Sequence, residues 1–250
     1  MEPRWLAPDA SEPLGLWTTE SRAEPGARRQ AFELSSRGDR VPGELWRPDA
    51  GRAPVPLVLH QEAGGAAAGA EPAVAVWLAA GLAVASIDLP LHGTRASAKL
   101  SGLLAEAQGA MAVPEALARE LLLDFARQAV VDLRRCLDAL PGLLRLDARR
   151  VAFAGAGLAA ALGAQLCAQE PRLRAAVLAG ATGRLPAELE AAPPRRGIEV
   201  QRVAGASGLT GAPARAFLVR ALGLAPGGDG GPGRAGGTRK RRGPSYTAAP

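Results

Sequence analysis

The sequence is poor in the side chains that do most protein chemistry near neutral pH. Its 250 residues include two histidines, His60 and His92, two cysteines, Cys136 and Cys167, and one tyrosine. Two cysteines without metal-like spacing give neither a disulfide framework nor a thiolate metal site, and both fall in apolar helical contexts that read as buried free thiols. Lysine is almost missing. Lys99 and Lys240 are the only lysines among 30 Lys and Arg residues, which, beside abundant Ala, Gly and Pro, reads as a coding bias. The first residues, Met1 to Asp9, carry acids and prolines where a secretion leader needs an apolar run, so cytoplasm is the expected location. No membrane span is expected either. The uncharged stretch 72–87 contains Pro72 and Gly81, and 151–169 divides into strand, glycine turn and helix.

The net charge of +6 is unevenly spread. Residues 226–250 hold Arg234, Arg239, Lys240, Arg241 and Arg242 against Asp229, or +4, which leaves +2 for the rest. A nearly neutral body argues against nucleic-acid binding by the fold, beyond weak polyanion contact of the tail. The expected division is an N-terminal arm over 1–30 that pins Trp5 and Trp17, one domain over 31–224, and a disordered basic Gly/Pro-rich tail over 225–250.

What the chain does contain is β-α alternation. Ala31–Leu34 and Val41–Trp46 flank the turn-rich Ser35–Asp39 and suggest a hairpin. Val55–His60 and Leu82–Asp88 are apolar runs suited to buried strands, with a helical stretch at about 72–80 between them. Residues 94–113 are weakly patterned and read as a loop or covering segment. From Pro114 to about Leu140 apolar residues recur every four, predicting a helix broken once near Asp124. Strands are expected at 174–180 and 198–203, and a closing helix at 214–224.

The stretch Arg150–Gly163 organises the rest: a β-branched and aromatic run breaks at Gly155-Ala156-Gly157 and becomes an Ala/Leu-rich helix. Gly155-Ala-Gly-Leu-Ala159 occupies the frame of a G-x-S-x-G nucleophile elbow, and Asp88-Leu-Pro-Leu-His-Gly93 matches an Asp-x-Pro-x-His-Gly turn. With the approach run Asp138–Phe153, these residues resemble the α/β-hydrolase family, particularly its dienelactone-hydrolase-like branch. The resemblance implies an α/β-hydrolase-like, mostly parallel sheet with helices on both faces, truncated toward the C-terminus.

The same resemblance implies a Ser, Asp or Glu, His triad in that chain order. Gly157 occupies the nucleophile position, no histidine follows it, and the only later aspartate is Asp229 in the tail. Gly205–Thr210 can be laid on the acid-bearing or the histidine-bearing turn, with neither residue type present. Glu188 and Glu190 have no later base to orient. The resemblance puts the oxyanion donors at the backbone N–H groups of Leu158 and Glu62. His60 and His92 match loop histidines of the family. A metal or acid/base set from His60, Glu62, Asp88 and His92 is sterically conceivable but matches no metal spacing, so no metal and no cofactor are expected.

The main expectation is therefore a catalytically degenerate member, leaning away from an enzyme. It would serve in a binding, regulatory or partner-subunit role, with a small carbonyl or carboxylate ligand held by Glu62, Gly157, Leu158, His60 and His92, or with a protein partner. The first alternative is an active serine hydrolase of ester, lactone or acyl substrates with a non-standard nucleophile such as Ser207. A further alternative is a dinucleotide-binding domain, since Gly155–Ala160 also fits G-x-G-x-x-A and Arg184 could meet a 2′-phosphate.

Overall fold

The computed structural model describes residues 7–49, 55–61, 70–109, 113–143, 146–180, 186 and 193–224. Its sheet begins with antiparallel strands. β1 (Trp17–Thr18) and β2 (Arg22–Glu24) both pair with β3 (Ala27–Ser36), which forms a long hairpin with β4 (Asp39–Pro48). The hairpin turns at Arg37 and Gly38, with φ of 55° and 78°. Two successive positive φ values match the twist of the strands, and a non-glycine residue there needs outside support. That support comes from the Glu12 carboxylate, which accepts the N–H groups of Arg37 and Gly38 at 2.8 Å each.

Alternating strand and helix then build the parallel part: β5 (Val55–Gln61), α1 (Ala70–Ala79), β6 (Ala83–Ile87), α2 (Ala98–Gln108), α3 (Glu115–Ala139), β7 (Leu146–Ala156), α4 (Leu158–Gln169), β8 (Leu173–Ala179), β9 (Glu199–Val203) and α5 (Ala212–Ala221). The order across the sheet is β1-β3-β4-β6-β5-β7-β8-β9, parallel from β6 onward. Val58, Ala152, Ala154 and Val177 face one side, with α1 and α5, while Leu57, Leu59, Phe153 and Leu178 face the other, with α3 and α4. Central strands buried on both faces explain why their sequences are continuous apolar runs.

Three expectations are corrected. The Trp17 ring is 61% exposed, so it is the backbone of this segment and not the indole that ties it to the sheet. Trp5 lies outside the described residues, as do 181–185, with Arg184, and the tail from 225. The weakly patterned segment holds a helix, α2, which packs on α3 and buries Leu104 and Ala107; apart from Ser101 and Gly102 its residues are good helix formers, and only its apolar stripe is faint. The helix from Glu115 runs unbroken for 25 residues, and Asp124, where a break is expected, accepts a 2.8 Å bond from Gln128 one turn on.

The elbow helix comes unusually close to its strand. A Cβ on Gly155 would meet Phe153 Cε1 at 2.6 Å, and one on Gly163 would meet Leu178 Cδ2 at 2.7 Å as well as the Phe153 ring. The fully buried Phe153 ring therefore fills the space that glycine leaves in both the strand and the helix. At its other end α4 is anchored by Glu170, which is buried and accepts Arg172 Nε at 2.6 Å and Arg134 Nε at 3.4 Å. Burial by itself would raise the Glu170 carboxyl, but the hydrogen bonds and charges of Arg172 and Arg134 outweigh it and hold the group below its ordinary 4.5.

Two helical glycines should thus respond oppositely to alanine. Gly163→Ala gains about 1 kcal/mol of helix propensity but loses about 1–3 kcal/mol to overpacking, whereas Gly102, with nothing within 4 Å of an added Cβ, only gains. Urea unfolding should show a lower midpoint for the first variant and a higher one for the second. Glu170→Gln should cost about 3 kcal/mol near neutral pH. A depressed carboxylate stabilises above its unfolded value and loses that contribution as pH falls through the folded one, so the gap from wild type should close below about pH 4.5 in pH-dependent unfolding.

Candidate active site

The carboxyl edge of the parallel strands gathers the residues named from the sequence. Gly157 stands between β7 and α4 with φ 59° and ψ −123°, a conformation that strains any side-chain-bearing residue. Its N–H donates to Ala179 O of β8 at 3.0 Å, and its carbonyl accepts Ala160 N–H at 3.1 Å. Leu158 follows as the first residue of α4, buried, so its N–H belongs to the helix turn that lacks intrahelical acceptors and carries the positive end of the dipole. This is a sharp strand-turn-helix backbone, with the Leu158 N–H in the first turn of α4. Glu62, named for the second donor, lies outside the described residues, as do Glu188 and Glu190.

The two histidines are treated differently by the fold. His60 is fully buried on β5, in register with Ala154, on the face shared with Val58 and α1. His92 is half-buried on the turn after β6, where its Nδ1 lies 2.8 Å from Pro90 O and its ring 5.5 Å from that of Phe125 on α3. A carbonyl can only accept, so in the neutral ring Nδ1 carries the proton and Nε2 the lone pair. Two strand spacings, about 10 Å, separate the ends of β6 and β7.

The His92 turn is built with care. Leu91 and Gly93 have φ of 62° and 56°, and a Cβ on Gly93 would sit 2.6 Å from Asp88 Oδ2. The Asp88 carboxylate accepts Thr94 N–H at 2.8 Å and Thr94 Oγ1 at 2.6 Å, which is turn architecture. Arg95 then donates to Asp88 O at 3.0 Å and to Asp132 Oδ2 at 2.7 Å, while Arg37 reaches Asp132 Oδ1 at 3.0 Å. Asp132, fully buried on α3, so links the hairpin turn, the His92 turn and the long helix. Neither Arg95 nor Asp132 is singled out from the sequence, although a signal exists. Asp132 falls on the buried face of α3, three residues after Ala129 and four before Cys136, where an unpaired carboxylate would be costly.

Ser207 is exposed on the 3-10 turn Ala206–Gly208 that follows β9. Gly205 packs under Gly180, whose added Cβ would lie 3.3 Å from Gly205 N, so this turn shares the edge with the elbow. It stands two strands, about 10 Å, from β7, and β5 and β6 with their histidines are farther still. β9 pairs directly with β8, so Gly205–Thr210 follows the strand next to β8 at this edge and carries neither an Asp nor a His. The thiols of Cys136 and Cys167 are buried and pushed up to about 12 by that burial, which makes both poor nucleophiles. Among the described residues no group of three or more His, Cys, Asp or Glu could hold a metal, and no helix is long and apolar enough to cross a membrane.

No family model and no curated protein matches the sequence. Solved structures do match the fold. A cold-adapted esterase from an Arctic intertidal metagenomic library aligns with a TM-score of 0.59 at 16% identity, over 81% of this chain and 97% of that one. Acetyl xylan esterases from Paenibacillus sp. R4 and Thermoanaerobacterium sp. JW/SL YS485 align at 0.53 and 18% identity, over 67% and 70% of this chain. The present chain spans about half the length of these two (54% and 55%). The fold is that of the α/β-hydrolases. These neighbours do not single out the dienelactone-hydrolase-like branch.

The comparison also corrects the main functional expectation. The aligned structures are named as esterases, which lends nothing to a silent binding or partner-subunit role, and the alternative of an active hydrolase fits better. In the sequence the missing side chain at position 157 stands out, whereas the packing that holds the Gly157 backbone and the Asp132–Arg95 link behind the His92 turn emerge only in three dimensions.

If the Asp132–Arg95 link positions His92, Arg95→Met should loosen the turn without dismantling the sheet. Amide exchange at His92 and Thr94 is expected to accelerate at least tenfold, with a stability loss of about 1–3 kcal/mol. Unchanged protection at both amides would mean that Asp88 and Thr94 hold the turn alone.

Proposed function

We propose that this chain is a hydrolase of carboxylic esters in which water, and not the elbow residue, attacks the substrate carbonyl. The observation that carries the reading is the Gly157 backbone at φ 59° and ψ −123° ahead of α4 on a central strand. That geometry supports an ester carbonyl oxygen bound at the Leu158 N–H, where negative charge developing in the transition state is favoured. His92 Nε2 takes a proton from water as its oxygen adds to the carbonyl carbon. The resulting imidazolium returns that proton to the departing alkoxide, giving acid and alcohol with no covalent enzyme intermediate. Ser207 is the competing attacking group, but both imidazoles that could activate it stand three and four strands away.

Turnover of p-nitrophenyl acetate by the purified full-length chain tests this directly. Wild type should exceed the buffer rate, His92→Gln should lower kcat at least tenfold with KM little changed, and Ser207→Ala should stay within twofold. A fluorophosphonate ester probe should leave the protein unlabelled. Loss of turnover in Ser207→Ala would move the attack to that hydroxyl, and a wild-type rate equal to buffer would end the proposal.

A further inference from the structure

The opposite, amino-terminal edge of the same strands carries a feature that ester hydrolysis does not use. A groove of about 410 Å³ opens between the starts of β7, β8 and β9, lined by Arg149, Arg172, Arg174, Arg195 and Arg196 and by no carboxylate. Five steps along the strand, from Val151 to Ala156, put it about 17 Å from the elbow.

Structural pairing accounts for one of these five arginines. Arg172 is engaged by Glu170 and by Asp138, at 2.7 Å from the latter. The neighbouring Asp147 carboxylate accepts Arg150 Nε at 2.7 Å and Arg149 N–H at 2.9 Å. Arg174 spends its Nε on Arg149 O at 3.0 Å, which anchors the guanidinium while its terminal amino groups remain. Arg195 and Arg196 are exposed on the approach to β9, which is tied down by Arg195 N–H to Cys167 O at 3.1 Å. Arg149, Arg174, Arg195 and Arg196 therefore line one groove from two strand starts and one anchored loop, with no carboxylate bonded to their side chains among the described residues.

We propose that this groove binds a small diphosphate-class anion. Crowding like charges is unfavourable, and a multivalent oxyanion relieves it. Guanidinium groups suit phosphate because their planar donor pairs match two oxygens at once. Four guanidinium groups, two on neighbouring strand starts and two on the loop before β9, offer more charge than one phosphoryl group neutralises, so two linked phosphoryl groups match them better, and the volume suits a small molecule.

Calorimetric titration of the full chain in 100 mM KCl with inorganic pyrophosphate and, separately, with ADP tests the site. The comparison is the Arg195→Gln/Arg196→Gln double variant, with circular dichroism to confirm its fold. Wild type should bind pyrophosphate with a submillimolar Kd, and the variant at least tenfold more weakly. Equal affinity for ADP supports a site that reads the diphosphate alone, and tighter ADP binding supports a nucleoside diphosphate. Either no saturable heat up to 10 mM of both ligands, or equal Kd values in wild type and variant, overturns the proposal.

Discussion

The close approach of α4 to β7 is the constraint on which the rest depends. Gly155 in the strand and Gly163 in the helix are both filled by the Phe153 ring, so the helix axis sits where no larger pair of residues would let it sit. That packing fixes where α4 begins, and the Gly157 N–H to Ala179 O bond fixes the turn against β8. The elbow is thus held from beneath and from the side. Its shape does not depend on a side chain at position 157. Interlocking of this kind is a property of close-packed interiors, where a methyl group too many is felt at once. It also bears on the dinucleotide alternative, since the room beside Gly155 is occupied by Phe153 and by Ala159 O at 2.9 Å.

Much of this architecture is legible in the sequence because the central strands are buried on both faces. Val55–His60, Leu82–Asp88 and Arg150–Ala156 read as continuous apolar runs for that reason, and the glycine break at 155–157 marks the passage to helix. The helix α2 is not legible, since Ser97, Ser101 and Gly102 weaken the local pattern while its stability comes from burying Leu104 and Ala107. The unbroken α3 escapes notice for a related reason. Asp124 looks like an interruption until Gln128 is seen to satisfy it across one turn.

The candidate site divides along the same line. Features written in consecutive residues, such as the elbow and the Asp88–Gly93 turn, can be named from the sequence. Features assembled from distant segments cannot, and the cluster of Asp132 with Arg37 and Arg95, spanning 95 positions, is of that second kind. A carboxylate in the apolar phase of a helix hints that a cation exists, but it cannot say which of so many arginines supplies it.

Magnitudes decide how much chemistry such a site can support. An oxyanion hole with bound substrate leaves on the order of 10³ to 10⁴ of rate enhancement after a triad is removed, which is about 4–5.5 kcal/mol. A positioned general base contributes typically 10² to 10⁴ more, provided the imidazole is held in one tautomer. Here Pro90 O holds Nδ1–H, the role a carboxylate plays in a triad, though a neutral carbonyl stabilises the imidazolium less than an anion does. The combined ceiling therefore lies below that of a triad, and it applies to the single attack by water that replaces both halves of the covalent route in the proposed reaction. Activated esters with good leaving groups fit that arrangement, because they need the least help from the proton returned by His92.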